Sequence, residues 1–428
     1  MQAGKDHRLF HNFFSLGFVQ VINSSLQLVV VPYMIKTVGA DGFGLIAVAQ
    51  VVMFFLSTFT DYGFNQTGIR SIAISQHDKE KISEVFFRVL FAKLLLCMIA
   101  FVVLLLLVFT IPFFRSNTIL YLLGFFYVIG QSLVMNWFFQ GMEKMWYIVI
   151  AMLIGRLLFV ALVFLFIRER SDTPYFLFFM GIGNAIAGIA TIMIAYKLFR
   201  LSFKRPSYRV VAQELKDGWH FTVPNLATAV SQYSSIFILR LFSNDLVVGY
   251  YSVAEKVFFA IRQGLVIFSQ SIYPRICQLV QKEKEQLSIF FRQVYNPFLF
   301  VVIMGCTVLA IFPEKILFFF SGAEAIHSVF ALRMLSMVLV VICLNIPSIL
   351  VLLALNKKKS YFKINTLGAI ISILLNVALA WSFQTTGTVI AILITEVFVT
   401  LGMRYERNKY YTGKSIGIAA LNQQNEIQ

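Results

Sequence analysis

Residues 88–111 read RVLFAKLLLCMIAFVVLLLLVFTI, and from Leu94 to Ile111 no residue carries a charge. A helix rises about 1.5 Å per residue, so about 20 apolar residues cross a hydrocarbon core of about 30 Å. Eleven further runs repeat the pattern, and twelve spans are expected, near 10–35, 43–66, 88–111, 118–140, 147–167, 174–197, 219–240, 247–273, 294–313, 328–355, 362–383 and 387–403. The whole chain agrees: of 428 residues, 59% are hydrophobic, 13% are charged and 46 are Phe, whereas a soluble domain is about one quarter charged. The expected fold class is therefore an all-α integral membrane protein of about twelve transmembrane helices.

Lys5 and Arg8 ahead of the first run imitate the start of a secretory signal. That run is too long for a signal core, carries Gln20, Asn23 and Gln27, and ends at Pro32-Tyr33 without a small-residue cleavage site, so a retained first helix is expected. Cys97, Cys277, Cys306 and Cys343 lie in or beside apolar runs with no Cys-x-x-Cys spacing, which argues for small apolar side chains rather than a disulfide framework or thiolate metal site.

The net charge of +16 invites a nucleic-acid reading, but Lys and Arg also gather in the cytoplasmic loops of membrane proteins. With the N-terminus inside, the inner segments hold 25 Lys and Arg and the outer segments 7. Both termini are accordingly expected in the cytoplasm, with anionic headgroups of the inner leaflet as partners of the basic loops and no role for nucleic acid.

The chain also resembles itself at a shift of about 205 residues: Gln20 falls on Asn225, Asn23 on Thr228, Gln27 on Gln232, Gly44 on Gly249 and Val48-Ala49 on Val253-Ala254. Lys79-Glu80-Lys81 and Phe86-Phe87-Arg88 return as Lys282-Glu283-Lys284 and Phe290-Phe291-Arg292. An even number of helices per copy gives both copies one orientation, the parallel-repeat arrangement of many secondary transporters. The expected organisation is two pseudo-symmetric six-helix bundles, 1–198 and 219–403, a basic cytoplasmic linker at 199–218 and a cytoplasmic tail at 404–428.

Pro32-Tyr33, the stretch Gly39-Ala-Asp-Gly-Phe-Gly44 and Asp61-Tyr-Gly-Phe64 resemble the opening of the polysaccharide-repeat (O-antigen-type) flippases, within the multidrug/oligosaccharidyl-lipid/polysaccharide exporter superfamily. Gly249-Tyr-Tyr-Ser-Val-Ala-Glu-Lys256 and Tyr273-Pro-Arg275 are similar to that family's eighth helix and the loop after it. The resemblance runs over nearly the whole chain. It implies two bundles around a central cavity, a bacterial inner-membrane location in polysaccharide and lipopolysaccharide assembly, and transfer of an undecaprenyl-pyrophosphate-linked oligosaccharide to the outer leaflet, with other glycan-assembly membrane proteins as neighbours.

A charged side chain at mid-bilayer costs about 2.5–3.5 kcal/mol on insertion scales, so Arg156 and Arg262, near the middle of their spans, are expected to face a cavity. With Lys93 and Arg240 they are candidates for binding a diphosphate, for which the guanidinium supplies a bidentate donor fork; for Lys93 and Arg240, which sit near span ends, snorkelling to the interface is an equal reading. Helix 1 presents Asn23 and Gln27, and helix 7 presents Asn225 and Gln232, amides that both donate and accept as sugar binding requires; interhelical hydrogen bonding would use the same stripes. Glu396, Glu255 and Asp61 are the candidate ion-coupling carboxylates, although Asp61 stands where it would also simply end helix 2. Glu255 and Arg262 are seven residues apart and share a helix face, which would let them pair through an intermediate or flank a binding site.

Other chemistry is not supported. Gly181-Ile-Gly183 lies within a span and suits close helix packing rather than a dinucleotide fingerprint; the five histidines are dispersed; no P-loop or Gly-x-Ser-x-Gly occurs. No catalytic residue, cofactor or metal is expected. A cation-coupled drug exporter of the same superfamily is the nearest rival, and it would want a cavity rich in acids where this chain has mid-span bases. A membrane glycan polymerase or acyltransferase would want a large outer loop or clustered His and Asp. The reading that remains is a flippase working by alternating access.

Overall fold

The computed structural model describes residues 2–280, 284–321, 326–355 and 357–425, which are helical throughout apart from short turns and contain no strand. The helices are α1 Gln2–Asp61, α2 Phe64–Ser75, α3 Lys79–Thr110, α4 Pro112–Arg115, α5 Thr118–Leu133, α6 Asn136–Gly141, α7 Trp146–Phe166 and α8 Tyr175–Phe199. They continue with α9 Tyr208–Phe242, α10 Asp245–Val280, α11 Lys284–Phe290, α12 Asn296–Ile311, α13 Pro313–Ser321, α14 Ile326–Ala354 and α15 Lys358–Asn425.

The breaks follow from local chemistry. Gly39, at φ 80° and ψ 167°, interrupts α1 between the first two expected spans; such a backbone suits only a residue without a Cβ. Tyr62 (φ 42°) and Gly63 (φ 75°) separate α1 from α2. Asp78 caps α3 by accepting from Glu80 N at 3.1 Å and Lys81 N at 3.2 Å, and the Lys81 amide bond chiefly holds its carboxyl below the ordinary range. Pro297 lacks an N–H and crowds the carbonyl four residues back, and a π-helical turn at Phe291–Tyr295 absorbs that mismatch between α11 and α12. In α15 the chain turns at Gln384, φ 47°, between the last two expected spans.

Among the described residues, eight stretches are long and apolar enough to cross a membrane: Leu28–Ser75, Lys79–Thr110, Thr118–Gly141, Trp146–Phe166, Tyr175–Phe199, Glu285–Ile311, Ser328–Ala354 and Lys359–Lys409. The first contains the breaks at Gly39 and at Tyr62-Gly63 and takes in the second expected span with the end of the first, and the last contains the break at Gln384 and holds the final two expected spans. The remaining two expected spans fall in α9 and α10, where charges such as Arg209, Glu214, Glu255, Lys256 and Arg262 interrupt the apolar pattern. Lipid-facing stripes are evident on α3: Met98, Val102, Leu106 and Phe109 are 62, 54, 59 and 69% exposed, while Ala100, Leu104 and Val108 are buried. In hydrocarbon such exposure costs nothing, and helices associate through close packing and interhelical hydrogen bonds.

By packing the chain forms two units, one holding Met1–Val253 and a short segment starting at Phe319, the other holding the rest of Ala254–Gln428. The core of unit 1 is aromatic: Trp137, Phe86 and Phe138 are fully buried, with ring centroids 5.1–6.1 Å apart. The repeat points to a boundary at 199–218, whereas packing keeps α9 with the helices before it. The reasons are specific: Tyr233 lies 4.1 Å from Phe54 between centroids, Gly218 seats against the Tyr62 carbonyl, and Glu214 pairs with Arg88 at 2.7 Å.

Candidate functional site

Lys93 and Asp61, expected separately as a substrate cation and a coupling acid, form one ion pair: Lys93 Nζ lies 2.8 Å from Asp61 Oδ1. The lysine is 1% exposed and does not snorkel. Position 61 is the last residue of α1 and Lys93 lies near the middle of α3, so the pair ties the end of α1 to α3. Next to Asp61, Thr60 Oγ1 accepts from Ser132 Oγ at 3.1 Å, extending the polar contact from α1 to α5.

Arg156 stands on α7 immediately after Gly155, where α7 crosses α8. A Cβ added to Gly155 would lie 2.3 Å from the Gly183 carbonyl oxygen, and one added to Gly183 would lie 2.3 Å from that of Gly155. On its other side α8 meets α5: a Cβ on Gly130 would lie 2.5 Å from Gly181 O, and one on Gly181 would lie 2.4 Å from the Phe126 carbonyl carbon. Glycines at these positions let three backbones touch at one level. The Gly181-Ile-Gly183 segment therefore does what close packing requires. At the same level Asn184 Nδ2 donates to Gln131 Oε1 at 3.3 Å. The Nε of Arg156 is shielded and has no hydrogen-bond partner, and the guanidinium lies within electrostatic reach of Tyr127 on α5.

Arg240 is taken up locally. Its guanidinium forks onto Asp245, with Nη2 to Oδ2 at 3.2 Å, donates Nη1 to Ser243 O at 2.9 Å and lies 5.1 Å from the Phe113 ring centroid. The fork braces the α9–α10 turn. Beside it the two glycines matched by the repeat meet. A Cβ on Gly44 would lie 1.9 Å from Asp245 O, and a Cβ on Gly249 would lie 1.8 Å from Ala40 O. In the repeat read from the sequence Asp245 and Gly249 fall on Ala40 and Gly44, so the two approaches are reciprocal.

In unit 2, Glu255 is buried and adjoins Lys256, while Arg262 lies over the Phe259 ring at 5.9 Å. The acid within electrostatic reach of Arg262 is Glu396 on α15. Asn225 on α9 is half-buried. Asn23, Gln27 and Gln232 lie outside the described side chains.

With this geometry the comparisons with known proteins agree. Residues 9–280 match the family model described as polysaccharide biosynthesis protein. The chain belongs to that family. Two relatives, each named "Putative O-antigen transporter", come from Escherichia coli (strain K12) and Shigella dysenteriae. Both are 28% identical to this chain; the alignments cover 94% and 92% of it and 97% and 98% of the relatives. Among solved structures, the lipid II flippase MurJ in an inward closed conformation gives a TM-score of 0.70 at 13% identity, over 93% of this chain and 87% of that one. An inward-facing multidrug resistance MATE family transporter of the MOP superfamily gives 0.64 at 16% identity, over 92% and 99%. At such identities the likeness is one of fold, and that fold is a membrane transporter's.

For this family member the resemblance read from the sequence holds, and the chain is a membrane transporter rather than an enzyme. Several polar groups at these sites carried little sequence signal. Asp245 and Glu214 stand out only as acids close to basic residues, and Tyr127 is one of 17 tyrosines. Glu214, buried on α9, receives Arg88 and also accepts from Thr67 Oγ1 at 3.3 Å, and Ser202 N donates to Ser83 Oγ at 3.1 Å. These bonds fasten the basic linker to α2 and α3.

Proposed function

We propose that this chain flips a polyprenyl-pyrophosphate-linked glycan, an undecaprenyl-pyrophosphate-linked oligosaccharide repeat unit, from the cytoplasmic to the outer leaflet of the bacterial inner membrane by alternating access. The observation that carries the reading is Arg156: a half-buried arginine in the middle of an apolar helix, whose Nε is shielded and finds no acceptor among the described residues. A cation so placed is costly unless an anion visits it, and a diphosphate matches its donor fork. The family and the names of the relatives support the glycan. Arg262 is assigned the same role in unit 2, and the amides Asn225, Asn23, Gln27 and Gln232 the sugar contacts.

Coupling to a cation gradient falls to Glu396 and Glu255. Asp61 would take part only by releasing Lys93, since the two are paired. Anionic lipids are the assigned partners of the basic loops, which face the cytoplasm with both termini in this reading. Vesicles containing the protein and a fluorescent lipid-linked oligosaccharide test the proposal. Sugar enclosed in the lumen should become accessible to an external glycosidase in a protein-dependent way, and Arg156→Ala should slow this at least tenfold. Equal accessibility with and without protein would remove the flippase reading, and restored drug resistance in a sensitised strain would install the drug-exporter rival.

A further inference from the structure

We propose that unit 1 carries a diphosphate site of its own at the glycine crossing of α5, α7 and α8, in which Tyr127 is a second donor beside Arg156 and the Gln131–Asn184 amide pair meets the first sugar. The inference rests on the flippase reading and locates its ligand.

The geometry comes from four adjacent pairs. Arg156 follows Gly155, Asn184 follows Gly183, Gln131 follows Gly130, and Tyr127 follows Phe126, whose backbone touches Gly181. Successive residues on a helix are turned by about 100°, so each polar side chain leaves its helix beside a backbone crossing rather than within it. All of those crossings fall between Gly181 and Asn184, less than one helical turn of α8. Tyr127 and Gln131 are also four apart on α5 and therefore share a face. Three helices held at backbone contact thus deliver a guanidinium, a phenol and two amides to one level of the bundle.

Charge accounting points to what this level binds. Lys93 is neutralised by Asp61, Arg88 by Glu214, Arg240 by Asp245 and Arg170 by Asp41. Among the described residues no carboxylate lies within ion-pair distance of Arg156, and its Nε makes no hydrogen bond. Tyr127 lies within electrostatic reach of both Arg156 and Asp61, but Asp61 is held 2.8 Å from Lys93. The level therefore has an uncompensated positive charge next to a hydroxyl donor, which is what an anionic phosphate group completes. The amide pair, already joined by one hydrogen bond, offers further donors and acceptors of the kind a sugar hydroxyl needs.

The full chain in lipid nanodiscs tests this with two probes, undecaprenyl pyrophosphate without glycan and undecaprenol without phosphate. The native protein should bind the diphosphate more tightly than the alcohol. Tyr127→Phe and Arg156→Gln should each weaken diphosphate binding about tenfold or more, the scale of one hydrogen bond to a charged group. Neither should alter alcohol binding or the thermal unfolding profile, and Arg156→Lys should recover part of the loss. If Tyr127→Phe binds the diphosphate like the native protein, the site proposed here is wrong even where transport persists. If the native protein shows no preference for diphosphate over alcohol, the flippase reading fails and this site fails with it.

Discussion

At the scale of single residues, what separates the intramembrane charges is whether the protein itself neutralises them. Lys93 is buried against Asp61, and an ammonium withdrawn from water is tolerable only while that partner is present. Lys93→Met or Asp61→Leu alone should therefore lower stability by about 3–5 kcal/mol, whereas the two together should recover most of it. Thermal unfolding of the four proteins in one detergent gives the coupling energy directly, and a simple sum of the single effects would show that the pair is not a unit. Arg240 should behave as a structural residue: with its guanidinium committed to Asp245 and Ser243, Arg240→Ala should cost stability without changing the preference for a diphosphate lipid over its alcohol. Arg156 is the opposite case. A binding assay in which Arg240→Ala loses that preference and Arg156→Gln keeps it would reverse the assignment.

At the scale of elements, small residues decide how near the helices come. Gly44 and Gly249 meet Asp245 and Ala40 at distances no side chain can enter. Gly44→Val and Gly249→Val should each part α1 from α10 at this end and lower the melting temperature. Because both substitutions open one reciprocal contact, the double variant should be little worse than either single one. Losses that add in the double variant would mean that the two glycines serve separate contacts. The linker is likewise fastened rather than loose: Glu214→Ala leaves Arg88 without its carboxylate and Thr67 without its acceptor, so cleavage by a protease between Leu201 and Tyr208 should quicken. An unchanged cleavage rate would show that the pair does not hold the linker down.

At the scale of the whole molecule, the proposed orientation with both termini in the cytoplasm can be tested directly. In a cysteine-free background, single cysteines at Lys81, Arg205 and Lys359 should resist an impermeant thiol reagent added outside intact cells, and those at Arg115 and Arg170 should react; the reverse pattern would invert the topology. The sequence by itself determined that the chain lives in a membrane, that it is all helical and to which family it belongs. Each of these rests on properties summed along many residues, such as hydropathy and motif order, and one misplaced side chain does not disturb such sums. Only the tertiary structure decided which charges are satisfied. That Asp61 takes Lys93 and that α9 packs with the helices before it depend on residues far apart in the chain being brought within a few ångströms, whereas Asp245 takes Arg240 through the closure of the α9–α10 turn. Arg156, Lys93 and Arg240 look alike in sequence, as cations in apolar surroundings. Their differences arise because electrostatic energy in a low-dielectric interior falls steeply with distance, and distance is what the packing of glycine-studded helices sets.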